Sequence, residues 1–391
     1  MMNRMKSTIK YKKGLFIGIL GILVFPLFLE FTEMIQLKPL KGSYEIPENP
    51  EFTLAQWFTG EYQDEKENFI KKSLYVRPVF VRFYNQYHYS FFNIPKANSI
   101  IIGKSSYLFG DNYIKEYFGT NFIGHQKIEE KVNKIQRVAD TLKAKGIDLI
   151  VVLAPGKASF YPEYLPESYD SMSVGTTNYE VYNQQFLSSN IHYLDFKKWY
   201  LDIKETSKYP LFPKTGIHWS KYGELIAADS IIHYINSISP TKKAPELLLG
   251  KTKVTSDMWG TDDDIEQGMN LMFDIPDLEM AYPHYEYDTL NKQEQPKVLT
   301  VADSYYWGMF NFSLSKKAFD NGEFWFYNID IFPSEEGKPS FVSEIDIVES
   351  VEQNDIVMLV STDANLFKFP FGFIDRLYEA YYSDQLKAPS E

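Results

Sequence analysis

Apolar residues recur along the chain in two rhythms, and each predicts a kind of element. Between Gln126 and Lys145 they fall at Ile128, Val132, Ile135, Val138 and Leu142, three or four apart with charges opposite, which is one face of an amphipathic helix. Gly146 stops that helix, and Ile147 to Ala154 follows as an apolar run. Such a run reads as a strand covered on both faces, and a helix feeding one is the parallel-sheet pattern. The alternation returns with a helix near Asn178 to Leu187 and a short strand from His192 to Phe196. From Ser220 a further helix carries Leu225, Ile226, Ala228, Ile231, Ile232 and Ile235 on its apolar side. Val298 to Ala302 is another buried strand. Beyond it Phe324 to Ile331 reads as a strand, Phe341 to Val351 as a helix, Asp355 to Val360 as a strand and Phe373 to Tyr382 as a closing helix. The pattern implies an α/β domain, beginning with the strand and turn at Ser99 to Phe109.

Two regions depart from this rhythm. Residues 1–13 are a basic tail, and Gly14 to Leu29 are uncharged and apolar, with the segment continuing to Leu37 past Glu30 and Glu33. A positive flank before an apolar core fits a transmembrane helix with its N-terminus inside. The absence of a small-x-small cleavage pattern favours an uncleaved signal anchor over residues 14–37, which places the body outside the cytoplasm, in the periplasm or at the cell surface. Residues 38–98 form a Pro- and Gly-containing linker and a charged, aromatic segment, Gln63 to Phe92, expected to be helical and to dock on the domain at 99–391. Within that domain residues 240–296 read as an insertion beside the site, Tyr-rich and acidic at Asp262-Asp263-Asp264, a run that usually marks a solvated face.

Composition narrows the chemistry. At 391 residues and 44% apolar content the chain builds a large buried core. With no cysteine, thiolate metal sites and cysteine nucleophiles are excluded, and the six histidines have no metal-site spacing. The net charge is −12 even with five basic residues in the tail, so the body repels nucleic acid. Aromatic residues reach 17%, which suits stacking on sugar rings as well as core packing.

The strand from Val298 ends abruptly at Asp303-Ser304, and ligands of open α/β sheets bind outside the carboxyl ends of strands. Capping of the next helix by either residue would explain the same pair. A distant segment, Thr215-Gly216-Ile217-His218-Trp219-Ser220-Lys221-Tyr222-Gly223, changes the balance by presenting a histidine just before a helix. A neutral serine hydroxyl is a poor nucleophile, and an imidazole can take its proton near neutral pH.

Taken from Ser304 and wrapped back to the start of the domain, these pieces resemble a circularly permuted SGNH (GDSL-type) hydrolase. Ala302-Asp303-Ser304 is similar to the Gly-Asp-Ser nucleophile block, and Thr215 to Gly223 to the Asp-Gly-x-His-Pro-Ser-x-x-Gly block. Asp355 to Asn365 is similar to the strand ending in Gly-x-Asn-Asp. Histidine before serine is the order of the AlgX and AlgJ group of polysaccharide O-acetyltransferases, which Gly103 to Phe109, Pro155 to Pro166 and Asp264 to Leu271 also resemble. The resemblance implies a three-layer, flavodoxin-like parallel sheet, with Ser304 as nucleophile and His218 as base. It implies no metal or dissociable cofactor, an exopolysaccharide or cell-wall glycan as acceptor, and a polytopic membrane-bound O-acyltransferase that delivers the acetyl group. The family's triad aspartate falls on Thr215 or Gly216, neither of which can orient an imidazole as a carboxylate does. Either Ser304 and His218 work as a dyad, or Asp303 or Asp363 supplies the acid. Asp363 also stands where the family has its oxyanion-hole asparagine, leaving Asn365 as the nearby donor. Lys157 binds an acidic sugar or points to solvent, and Trp219 and Tyr305 are candidate substrate contacts. Two other functions remain open: a carbohydrate acetylesterase, and a catalytically silent glycan-binding or scaffold subunit.

Overall fold

The computed structural model describes residues 2–32, 34, 36–42, 45–288, 293–320, 322–334 and 338–386. Met1 of the basic tail, Glu33 and Ile35 of the expected anchor, Ser43 and Tyr44 of the linker, and residues 289–292 of the expected insertion lie outside the described residues. The chain forms two compact units, one of Met1–Ala97 with Glu266–Asp274, the other of Asn98–Ile265 with Ile275–Glu391.

The first unit contains α1 (Met2–Thr32), α2 (Leu54–Thr59), α3 (Glu61–Ser73) and α4 (Arg77–Phe92). Within Lys10–Thr32 an 18-residue window of α1 has a mean hydropathy of 2.3, and the helix is long and apolar enough to cross a membrane. Its last turn is tied to the residues ahead of α4, because Tyr75 N donates to Glu30 Oε2 at 2.7 Å. Arg82 donates to the carbonyls of Lys38 and Pro39, each at 2.8 Å. Asn85, buried on α4, donates to the Met269 carbonyl at 2.7 Å.

The second unit opens with a two-stranded hairpin, β1 (Ile100–Ile102) and β2 (Leu108–Gly110). It continues through α5 (Asp111–Tyr117), α6 (His125–Ala144), β3 (Asp148–Ala154), α7 (Lys157–Phe160), α8 (Asn178–Leu187), β4 (His192–Asp195), α9 (Phe196–Ile203) and α10 (Lys221–Ile238). An antiparallel pair follows, β5 (Leu247–Thr255) and β6 (Met280–Tyr287), with α11 (Asp264–Met269) between them in sequence. The chain then runs through β7 (Val298–Ala302), α12 (Tyr306–Asn311), α13 (Leu314–Lys317), β8 (Phe324–Phe326), β9 (Asp330–Phe332), β10 (Ser340–Phe341), α14 (Ile347–Glu352), β11 (Ile356–Thr362) and α15 (Phe373–Leu386).

The main sheet has the order β10-β9-β8-β7-β11-β3-β4, parallel from β8 to β4 and antiparallel at the β9 and β10 edge. Side chains alternate across a strand, so each central strand feeds two cores. Ile150, Val152, Met358 and Val360 point to the face covered by α9 and α10. Leu149, Val151, Val357 and Leu359 point to the face that packs with α6, α8 and α15. The apolar positions of α6 (Ile128, Val132, Ile135, Val138 and Leu142) are all buried there. Gly146, at φ 81°, ends α6 in a conformation that L side chains rarely adopt.

Two expected elements are shorter than their patterns suggest. Phe324 to Ile331 is split into β8 and β9 because Tyr327 and Asn328 take positive φ and turn the chain back. Phe341 to Val351 makes a single 3₁₀ turn at Val342–Glu344 and becomes α-helix only from Ile347, where the Asp346 side chain accepts from Val348 N and Glu349 N.

Candidate active site

Strands β7 and β11 are neighbours whose carboxyl ends lie side by side, with Ala302 opposite Val360. Buried Asp303 fastens the two ends, accepting from Thr362 N at 2.8 Å, Asn365 Nδ2 at 2.8 Å and Tyr305 N at 3.0 Å. Burial raises the pKa of its carboxyl, and the three donors partly offset that. Ser304 follows as the half-buried first residue past this knot, just ahead of α12.

His218 sits on the loop entering α10. Ser220 caps that helix, accepting from Gly223 N at 3.0 Å while its hydroxyl donates to the Pro210 carbonyl at 2.7 Å. The imidazole Nε2 lies 3.1 Å from Ser304 Oγ. Its Nδ1 lies 2.6 Å from Asp264 Oδ2, and Asp264 Oδ1 accepts from Ile217 N at 2.8 Å. The tautomer that satisfies both contacts carries its proton on Nδ1 and leaves Nε2 free to accept from the serine hydroxyl. Burial opposes protonation of His218, but Asp264 above all, with Glu224 and Asp303, outweighs it and holds the imidazole pKa above its ordinary value.

The carboxylate on the imidazole is therefore Asp264, and neither Asp303 nor Asp363 takes that place. Asp303 is turned to the end of β11. Asp363 faces another way, accepting from Ser159 Oγ at 2.6 Å and pairing with Lys197 Nζ at 2.9 Å. Thr215, where the family pattern has its acid, donates its hydroxyl to Asp277. Gly216 is needed for a different reason: a Cβ there would lie 2.6 Å from the carbonyl oxygens of both Thr261 and Asp262. The loop that carries Asp264 thus packs directly on the backbone two residues before His218.

The remaining candidates lie beneath the site. Trp219 and Tyr305 are fully buried, their rings 5.3 Å apart, and Tyr305 Oη donates to the Ile217 carbonyl at 2.9 Å. They support the histidine loop and have no surface to offer a substrate. Lys157 is also fully buried, neither open to solvent nor free for a sugar. It donates to the carbonyls of Lys214 and Gly216, both at 2.6 Å, and burial pulls its pKa down to about 7. Asn365 donates from its amide to Asp303 at 2.8 Å, and the same Nδ2 lies 3.3 Å from the Tyr327 phenol oxygen.

Two residues of the site were not singled out by sequence. Asp264 belongs to the acidic run assigned to a solvated face, and its only pointer was the likeness of Asp264 to Leu271 to the same family. Tyr327, at the turn that splits β8 from β9, places its phenol beside the Ser304 hydroxyl and backbone. Burial, then Asp303, pushes its pKa up to about 12, so it stays a proton donor at neutral pH. No sequence signal marks it.

A cavity of about 760 Å³ is lined by Asp262, Glu224, Gly308, Trp259, Tyr282 and Lys253, with none of Ser304, His218 and Asp264 in its lining. The Trp259 and Tyr282 rings are 4.6 Å apart, and the Lys253 ammonium lies 4.3 Å from the Trp259 ring centre. Among the described residues no group of three or more His, Asp or Glu side chains is arranged to hold a metal ion.

Residues 100–313 match the family model described as an SGNH hydrolase-like domain, acetyltransferase AlgX, and Ser304, His218 and Asp264 all fall inside that span. A probable alginate O-acetylase AlgJ of Pseudomonas putida is 25% identical over 150 residues, which are 38% of this chain and 37% of that protein. The AlgJ of Pseudomonas fluorescens is 22% identical over 236 residues, 60% of this chain and 57% of its own. The matched part is thus little more than a third of the P. putida relative's length. The O-acetyltransferase domain of P. putida AlgJ superposes with a TM-score of 0.44 at 17% identity, covering 72% of this chain and 99% of that one. With its family model matched over more than half of its length, the chain belongs to the family of SGNH hydrolase-like, AlgX-type acetyltransferase domains.

Proposed function

We propose that this protein is a membrane-anchored, extracytoplasmic O-acetyltransferase that acetylates the hydroxyls of a polysaccharide through an acetyl-serine intermediate. The observation that carries the proposal is the continuous relay from Ser304 through His218 to Asp264. The Ser304 hydroxyl attacks the acetyl carbonyl as its proton passes to His218 Nε2, and Asp264 holds the imidazolium. The oxyanion forms within reach of the Ser304 backbone N–H and the Tyr327 phenol. Collapse breaks the bond to the donor's leaving group, which takes the proton back from His218 and leaves acetyl-Ser304. A sugar hydroxyl then gives its proton to Nε2 and attacks the ester, and the reverse collapse restores the free serine. Histidine, acid and serine occur in that order, which suits a permuted arrangement of the SGNH blocks.

The apolar reach of α1 supports the anchor, and an acetyl donor handed across the bilayer by a polytopic O-acyltransferase fits a site outside the cytoplasm. The aromatic and lysine-bearing cavity lined by Trp259, Tyr282 and Lys253 offers surfaces on which a sugar ring can stack, which supports a sugar acceptor. Of the two departures that favoured a silent scaffold, the missing acid is answered by Asp264 on the imidazole, which supports an active enzyme. The full chain in lipid nanodiscs should release p-nitrophenol from p-nitrophenyl acetate, carry an acetyl mass on Ser304, and pass it to added oligosaccharide. Ser304→Ala should lose all three activities. Equal turnover by that variant would remove the serine mechanism, and acetate release without acetylated sugar would make the protein an esterase.

A further inference from the structure

Helix α4 has the pattern of a core helix turned inside out. Its residues Phe80, Phe83, Tyr84, Tyr87 and Phe91 are spaced three or four apart and so cover roughly a third of the helix circumference. All five are exposed, Phe83 at 62% and Phe91 at 74%. The buried side of the helix carries a polar residue instead, Asn85, bonded to the Met269 carbonyl. An aromatic stripe of this size on a surface marks an interaction site.

The position of α4 indicates what covers it. The residues ahead of α4 are pinned to the last turn of the membrane-length helix through Tyr75 N and Glu30, and Arg82 on its second turn holds the carbonyls of Lys38 and Pro39, just past the same helix. The start of α4 is thereby fixed at the level where α1 runs out of apolar residues. Phe52, Trp57 and Phe58, at and in α2, are exposed as well. Tyrosine and tryptophan have an apolar body and a polar tip, which favours the boundary between headgroups and acyl chains. We infer that α4 lies on the outer leaflet with its aromatic stripe in the lipid interface, a second attachment that holds the protein's first unit against the membrane. This rests on α1 being the anchor.

The chain contains no cysteine, so single labels can be placed without background. Full-length protein carrying a nitroxide at Phe83→Cys or Tyr87→Cys is reconstituted in nanodiscs of mixed phosphatidylcholine and phosphatidylglycerol. Labels at Ile22→Cys in α1 and Ser188→Cys after α8 serve as lipid and water references. Collision with oxygen, which concentrates in lipid, is compared with collision with a water-soluble nickel chelate. The expected result is that positions 83 and 87 shift to the oxygen-rich side with position 22, while position 188 favours nickel. Positions 83 and 87 matching 188 while 22 reports lipid would overturn the docking and leave the anchor intact. Labels shielded from both reagents would mean a protein covers the stripe, which also overturns it. Position 22 reporting water would remove the anchor and the docking together.

Discussion

The sharpest test of the relay is Asp264→Asn, which keeps the size of the side chain and removes its charge. In the native site the carboxylate accepts from His218 Nδ1 at 2.6 Å and from Ile217 N at 2.8 Å. A hydrogen bond to a charged group contributes about 1.5–3 kcal/mol, and tenfold in rate corresponds to about 1.4 kcal/mol, so losing that bond alone lowers kcat by roughly ten- to a hundredfold. An amide can also present its N–H₂ to Nδ1 and select the tautomer that cannot accept from Ser304, an error that costs about 10⁴ in serine proteases. The expected loss in p-nitrophenyl acetate turnover therefore lies between about 10 and 10⁴. The pH profile gives an independent reading. Native His218 has a raised pKa, so activity is lost as pH falls through a value above the ordinary one. Without Asp264, burial dominates and the acid limb moves to lower pH even as the plateau falls. Stability follows the same linkage: a raised imidazole pKa contributes fully below the unfolded value and is lost as pH rises through the folded one, so the variant loses more stability at pH 5 than at pH 8. A kcat within about threefold of the native value, or an acid limb at the native pH, would refute the assignment of Asp264.

Tyr327→Phe removes a proposed oxyanion donor and should lower kcat by about 10²–10³, with little change in KM or melting temperature. An unchanged kcat would take the phenol out of the mechanism. Gly216→Ala puts a Cβ 2.6 Å from two carbonyl oxygens of the loop that carries Asp264, so that loop must shift. Misplacement of about 1 Å can cost roughly 10²-fold; circular dichroism should show the variant folded while kcat falls, and native kcat would show that the loop gives way without moving the acid.

The sheet was legible because its strands are written as apolar runs and its helices as periodic stripes, and both patterns survive in the order β7-β11-β3-β4. Ser304 and His218 were legible for a local reason: each stands where an element ends and a helix begins. The acid was not, because it comes from 46 residues beyond the histidine and nothing around Asp262, Asp263 and Asp264 distinguishes a carboxylate aimed inward from a solvated one. Asp303 and Asp363 looked eligible as acids from neighbouring strand ends, yet Asp303 is committed to the backbone of β11 and Asp363 to Lys197. Lys157 shows the converse error, since a lysine after a strand is usually exposed, and only tertiary packing reveals two carbonyls waiting for its three protons.

The segment between α10 and β7 reads in the sequence as an insertion beside the site, but the reading of its acidic run as a solvated face hid what it contributes. It supplies Asp264 to the imidazole, while Trp259, Asp262 and Tyr282 from the same segment line the cavity. Thr261 and Asp262 press on Gly216, two residues from His218, so part of the cavity lining and the carboxylate on the imidazole belong to one short stretch of backbone. The stretch from Trp259 to Asp264 therefore fixes both part of the cavity lining and the place of the acid on His218.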